Sequence, residues 1–201
     1  MIVFANGLEG RAVPAGAGAP ARWPRALVTP GNVPEIRTAR LLLTPCSLDA
    51  ARASLISPSA LEQLVDVEVP VTWPPADLRD ALVFYVRQLS NDEMHAGWGV
   101  WLVVSRDERA LAGSVGFKGK PDAARAVEIG YGIEAPFRRR GYATEAVQGL
   151  LGWGWTQGVK RVVAECREDN VGSIRVLERA GMSRLEPRGG MLWWELKTPS
   201  S

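Results

Sequence analysis

The sequence predicts an α+β fold in which strands and helices mix around one strand–helix–strand crossover. Three observations carry that reading. Short β-branched and apolar runs recur at 98–105, 111–117, 127–133 and 161–166. Apolar residues fall at helical spacing in Leu78, Leu82, Tyr85, Val86 and Leu89, and again in Ala143, Val147, Leu150, Leu151 and Gly154. Between the strand at 127–133 and the second of those helices lies a basic, glycine-containing loop, Pro136-Phe137-Arg138-Arg139-Arg140-Gly141-Tyr142-Ala143-Thr144.

Along the chain, residues 1–34 are rich in Ala, Gly, Pro and Arg and read as an arm; residues 35–201 read as the folded domain. The first strand is expected at Arg40–Thr44, stopped by Pro45. Ser47 caps a helix from Leu48, and Leu61–Leu64 supplies a second helical piece. Val69–Pro75 is a stiff extended link, after which Asp77 is expected to cap a helix from Leu78 to Ser90. Trp98–Ser105 and Leu111–Phe117 form a hairpin across Arg106–Arg109. Pro121-Asp122 turns the chain into the strand Val127–Ile133. The helix after the basic loop ends near Gly158, a suitable C-terminal stop. Gly149, Gly152 and Gly154 each cost that helix about 1 kcal/mol relative to Ala, which implies close packing on the sheet. A strand at Arg161–Cys166, a helix at Ile174–Ala180 and a closing hairpin of Ser183–Glu186 with Met191–Leu196 complete the chain. There is no internal repeat.

Composition narrows the function classes. The chain has 201 residues, 46% hydrophobic and 23% charged, enough for one domain with a full core. The net charge of +2 is accounted for by Arg11, Arg22 and Arg25 against Glu9 in the arm. The body is therefore neutral and carries no nucleic-acid footprint. Cys46 and Cys166 imply neither a disulfide framework nor a metal site. The sole histidine, His95, lies in a polar loop, where neither catalysis nor metal binding is expected. No apolar run approaches the ~20 residues that span a bilayer, and the first residues lack a secretory pattern, so a cytoplasmic location is expected.

The basic loop is a place to hold phosphate. The first N–H groups of a helix lack partners, its dipole makes that end positive, and Gly141 and Ala143 let an anion approach the backbone. The ending of a nucleotide P-loop and the three glycines of a dinucleotide fingerprint are both missing. The pattern Arg138-x-x-Gly141-x-Ala143 resembles the Gln/Arg-x-x-Gly-x-Gly/Ala signature of the GNAT superfamily of acyl-CoA-dependent N-acyltransferases. Val127–Ile133 resembles that family's cofactor-facing strand. Arg161–Cys166 followed by Asn170–Met182 resembles its Asn-x-x-Ser/Ala helix, with Met182 in place of Phe. The resemblance covers about 35–197 and is nearest the Rim-type group, which acetylates ribosomal-protein N-termini.

The resemblance implies a mostly antiparallel sheet split into a V, with acetyl-CoA as co-substrate and an amine as acceptor. It assigns the diphosphate to Arg138, Arg139, Arg140, Gly141, Tyr142, Ala143 and Thr144. It gives the pantetheine arm to Ile129, Tyr131, Ile133 and Asn170. The apolar strand residues fit core packing equally well, and Asn170 fits a helix cap. Glu128 is the candidate base that takes a proton from the attacking amine; a structural carboxylate that ion-pairs with Arg125 or holds a loop is the alternative. Leu177 stands where many members carry a tyrosine acid, so Ser173 is the candidate donor to the leaving sulfur; a role in the cap near Asn170 fits as well. Trp73 is the candidate wall of the acceptor site or else a packing residue. The expected acceptor is a peptide or protein N-terminal amine. A small amine such as an aminoglycoside or polyamine is the alternative, as is a non-catalytic acyl-CoA-binding module. A homodimer is left open.

Overall fold

The computed structural model describes residues 33–198. Nearly all of the arm expected at 1–34 lies outside them. Eight strands form one sheet in the order β1-β2-β3-β4-β5-β6-β8-β7. They are β1 (Ile36–Arg37), β2 (Leu41–Pro45), β3 (Val100–Ser105), β4 (Ala110–Phe117), β5 (Ala126–Ile133), β6 (Arg161–Arg167), β7 (Ser183–Arg184) and β8 (Met191–Lys197). Every neighbouring pair is antiparallel except β5 and β6.

The five helices are α1 (Leu48–Ile56), α2 (Pro58–Val65), α3 (Ala76–Asn91), α4 (Tyr142–Thr156) and α5 (Val171–Arg179). Period-two alternation sorts the sheet's side chains into two cores. On one face α4 covers Leu41, Leu43, Trp101, Val115, Val127, Ile129 and Val162. On the other, α1–α3 cover Leu42, Leu102, Val104 and Leu111. No residue of β5 or β6 belongs to that second core, whose strand residues come from β2, β3 and β4.

Local chemistry explains the boundaries. Ser47 caps α1 by accepting from Ala50 N, and Ser57 caps α2 by accepting from Ala60 N. Helix α3 starts two residues before the expected Leu78. Pro75 occupies its cap position without a side-chain bond, and Asp77 sits in the first turn, where a carboxylate suits the helix dipole. Helix α5 starts three residues before the expected Ile174, because Asn170 caps it by accepting from Ser173 N at 3.0 Å. The strand expected from Trp98 begins at Val100. Pro45 closes β2 from within instead of stopping it. The β7–β8 hairpin forms, but β8 also inserts between β6 and β7.

The glycines of α4 divide by position. A Cβ at Gly149 would stand 3.1 Å from Leu43 Cδ1, and one at Gly154 3.1 Å from the Phe117 ring. These two let the helix lie close on the sheet. Gly152 has open space around it, so the packing expectation does not extend to it.

Candidate active site

The sheet forks at its centre. Strands β5 and β6 pair in parallel only at Ala126–Arg161, Val127–Val162 and Glu128–Val163. Beyond that point β5 stays with β4 through Ile129–Ile133, while β6 stays with β8 through Ala164–Arg167. A wedge opens between them, bounded by the inner edges of both strands. Its wide end is where β5 passes into the basic loop and β6 into α5.

At that wide end stands the N-terminus of α4. Gly141 takes the cap position at φ 82°, a left-handed conformation that favours glycine, and no side chain caps the helix. The first helical bond runs from Glu145 N to Gly141 O at 3.1 Å. The N–H groups of Tyr142, Ala143 and Thr144 therefore remain as an open, positive cradle. Arg139, also left-handed at φ 61°, is exposed and makes no hydrogen bond or ion pair among the described residues. The other two arginines are held. Arg138 Nε donates to Ile133 O at 2.8 Å, and Arg140 pairs with Glu108 at 2.6 Å while lying over the Phe137 ring. The Tyr142 ring is buried against Phe137, so this residue offers the cradle its backbone N–H and not its side chain. The open N–H row, the free cation and the absence of a side-chain cap fit a diphosphate.

The cradle is anchored from behind by Glu145. Its Oε1 accepts from Thr38 Oγ1 at 2.6 Å and from Arg40 N at 2.8 Å. Its Oε2 accepts from Arg40 Nε at 2.8 Å and Nη2 at 2.7 Å. Burial pushes this carboxyl's pKa up, but the bonds from Thr38 and Arg40 outweigh it and hold the pKa below the ordinary value. Arg40 also donates to Arg140 O at 2.8 Å, which ties the loop to the start of β2. Sequence reasoning missed this anchor because it joins residues about a hundred positions apart.

On the face opposite α4, Glu128 lies at the fork. Its partner is Lys118, not Arg125, and Lys118 also reaches Glu165 Oε1 at 3.2 Å. One ammonium thus bridges two carboxylates from β5 and β6. Lys118 and Glu165 had no sequence signal, since only the fork brings them together. Gly130 and Gly132 follow Glu128 on the same face and keep it free of bulk. Farther along stands Glu134, buried and accepting from Thr72 Oγ1 at 2.8 Å. Thr72 belongs to the link before α3. Its neighbour Trp73 is only 3% exposed and donates from Nε1 to Ser54 Oγ at 3.1 Å. Trp73 thus packs the second core, and Thr72 rather than the indole meets Glu134, the residue that follows β5.

On the α4 face, Ile129 is buried, and Tyr131 and Ile133 pack partly against the first core. The Tyr131 hydroxyl donates to Ser173 O at 3.2 Å. Burial pushes the Tyr131 phenol up; its bond to Ser173 opposes that, and nearby Cys166 adds to it. Asn170 spends Oδ1 on the cap, which leaves its amide N–H groups for the wedge. The Ser173 hydroxyl makes no hydrogen bond among the described residues. Ala143 and Thr144 are half-buried at the cradle's edge. Among the described residues there is no cluster of metal ligands and no helix long and apolar enough to cross a membrane.

Comparison with known proteins places this architecture. A family profile described as "Acetyltransferase (GNAT) domain" matches residues 40–183. YjdG of Bacillus subtilis (strain 168), named an uncharacterized N-acetyltransferase, is 34% identical over 110 residues, covering 54% of this chain and 66% of YjdG. The chain spans between 48% and 66% of the length of three curated relatives it matches. Among solved structures, RimL, a ribosomal L7/L12 α-N-protein acetyltransferase, superposes with a TM-score of 0.59 at 17% identity, covering 82% of this chain and 98% of RimL. That RimL holds coenzyme A in a disulfide with one of its own cysteines. The microcin C7 self-immunity acetyltransferase MccE, in complex with acetyl-CoA and AMP, superposes at 0.55 with 18% identity, covering 80% of this chain and 94% of MccE.

Proposed function

The chain belongs to the GNAT acetyltransferase family, and from that premise we propose that it moves the acetyl group of acetyl-CoA to a primary amine, the N-terminal amine of a peptide or protein. The observation that carries the reading is the uncapped N-terminus of α4, set at the wide end of the fork between β5 and β6.

In this reading the backbone N–H groups of Tyr142, Ala143 and Thr144 receive the diphosphate, with Arg139 adding charge and Arg138 and Arg140 shaping the loop. Gly141 keeps the approach clear. The inner edge of Ile129–Ile133 and the Asn170 amide line the pantetheine arm, which has two peptide-like amides to satisfy. The acetyl group supplies an electrophilic thioester carbonyl when acetyl-CoA is bound. Glu128, at the fork, takes the amine's proton directly or through a water, and the Ser173 hydroxyl donates to the leaving sulfur. A thiol pKa of ~8.5 makes that last demand mild. Thr72 and the link packed by Trp73 border the acceptor side.

The Rim-type likeness favours an α-amino group. So does its lower pKa, ~7.7–8.0 against ~10.4 for lysine, which asks less of one carboxylate. The fold supports either acceptor class, since both a protein acetyltransferase and an immunity acetyltransferase share it. The test is acetyl transfer to short peptides with free or blocked N-termini, beside aminoglycosides and polyamines. The reading predicts fastest turnover on a free-N-terminus peptide. Faster turnover on a small amine would reassign the acceptor, and acetyl-CoA binding with no transfer to any amine would leave a binding module.

A further inference from the structure

Lys118 follows β4 directly, at the place where the fork between β5 and β6 closes. Its backbone N–H donates to Glu128 O at 2.8 Å, so the pairing of β4 with β5 runs one residue past Phe117–Ile129. Lys118 therefore stands opposite Glu128, and the two side chains share the face opposite α4. The ammonium bonds Glu128 Oε1 and reaches on to Glu165 Oε1 at 3.2 Å. Glu165 lies two residues beyond Val163, the last β6 residue paired with β5. One cation thus crosses the fork just past the end of the backbone ladder. Neither carboxylate makes another hydrogen bond or ion pair among the described residues. The two differ in access: the Glu165 side chain is 9% exposed, the Glu128 side chain 24%. Glu165 is the inner end of the bridge and Glu128 the end that solvent, and an amine, can reach.

We propose that Lys118 is a positioning residue for acetyl transfer, holding the Glu128 carboxylate at the closed end of the fork and anchored in turn on Glu165. The inference rests on the reading above, in which Glu128 takes the amine's proton. Lys118 is fixed at both ends, by Glu128 O at its backbone and by Glu165 at its ammonium. It holds Glu128 by Oε1, which leaves Oε2 free to accept the proton. The amine's proton passes to Oε2, and the ammonium keeps its own three protons throughout. The cation also offsets the repulsion between two carboxylates that converge on it from neighbouring strands.

Geometry is where the effect lies. A glutamate side chain at a partly exposed site has several rotamers open to it, and a base displaced by ~1 Å can lose ~100-fold in rate. Without Lys118 the Glu128 carboxylate keeps no partner, and Glu165 pushes it away from the fork. The cofactor cradle stands apart from this bridge: its N–H groups belong to Tyr142, Ala143 and Thr144, at the wide end of the wedge. Loss of Lys118 should therefore reach turnover and leave coenzyme A binding alone.

The experiment measures kcat on the best acceptor of the peptide and amine panel, with coenzyme A affinity by calorimetry. Lys118→Met should lower kcat at least ~tenfold while coenzyme A affinity stays within ~twofold. Lys118→Arg keeps a cation that reaches both carboxylates and should recover most of the loss. The deciding readout is a double-mutant cycle. In a Glu128→Gln background, Lys118→Met should cost less than ~twofold further, because the base it positions is already gone. A lysine that only supports the fold would cost the same factor in both backgrounds. If Lys118→Met fails to fold, Glu165→Gln, which releases the anchor, takes its place in the cycle with the same expected non-additivity. Equal factors in both backgrounds, no recovery with arginine, or a coenzyme A affinity that falls along with kcat would overturn the proposal. An active parent matched in rate by Lys118→Met defeats this inference alone. A parent that transfers to no amine, or a Glu128→Gln enzyme as fast as the parent, defeats the reading beneath it and the inference with it.

Discussion

Replacing Glu145 with alanine removes the anchor that fixes the first turn of α4 to the start of the sheet. Two of the lost bonds, from Thr38 Oγ1 at 2.6 Å and Arg40 N at 2.8 Å, involve partly buried groups. Each contributes ~1–1.5 kcal/mol. The Arg40 guanidinium is 43% exposed, so its ion pair adds less, ~0.5 kcal/mol. The sum is about 3 kcal/mol, which for a domain of this size lowers Tm by ~6–12 °C. The same change frees the cradle loop, because Arg40 also holds Arg140 O. Coenzyme A affinity should therefore fall together with Tm. The pH dependence follows from the lowered folded pKa of Glu145. Its stabilisation is complete above the ordinary glutamate value of ~4.3 and is lost as pH falls through the folded value. Parent and variant should differ by a constant amount at neutral pH and converge in acid. Thermal unfolding across pH, with calorimetric titration of coenzyme A, checks both parts. A Tm within ~2 °C of the parent and unchanged affinity would refute the reasoning.

Three further substitutions probe the chemistry. Gly141→Glu places bulk and negative charge at the cradle and should weaken coenzyme A binding at least tenfold, ~1.4 kcal/mol, by calorimetry; unchanged affinity in a folded variant would contradict it. Glu128→Gln should lower kcat with little change in acetyl-CoA affinity, and the loss should shrink as pH rises and the amine deprotonates unaided; equal activity at neutral pH would move the base elsewhere, with Glu165 the nearest carboxylate across Lys118. Ser173→Ala should reduce kcat by ~10-fold, because a thiolate leaves fairly well; full activity would leave Ser173 only its backbone place in the α5 cap.

Much of the fold was legible because its signals are local. Ser47 announced α1, the spacing of Leu78, Leu82, Tyr85 and Leu89 announced α3, and the strand–loop–helix run through Gly141 announced the crossover. The misses have physical causes. Asp77 looked like a cap because Asp often is one, but Pro75 pre-set the backbone two residues earlier. The α5 start was read late, although Asn170 also fits a cap, because the apolar run that marks the helix begins only at Ile174, three residues past the first helical residue. Within the site, the cradle was visible as a motif, whereas Glu145, Lys118 and Glu165 were not. Their partners lie on other strands, and no periodicity encodes a contact across the fork. For Trp73 the sequence left two readings, a wall of the acceptor site or a packing residue, and its 3% exposure and bond to Ser54 place it in the second core.

The central claim is that the open N-terminus of α4 receives the diphosphate of acetyl-CoA while the pantetheine arm enters the fork. The most direct test is a crystal structure of the acetyl-CoA complex. The account predicts diphosphate oxygens within hydrogen-bond distance, about 3 Å, of the N–H groups of Tyr142, Ala143 and Thr144. It also predicts the arm between Ile129–Ile133 and Ala164–Arg167, with the sulfur near Ser173. A diphosphate bound away from residues 138–144, or an arm lying outside the fork, would contradict it.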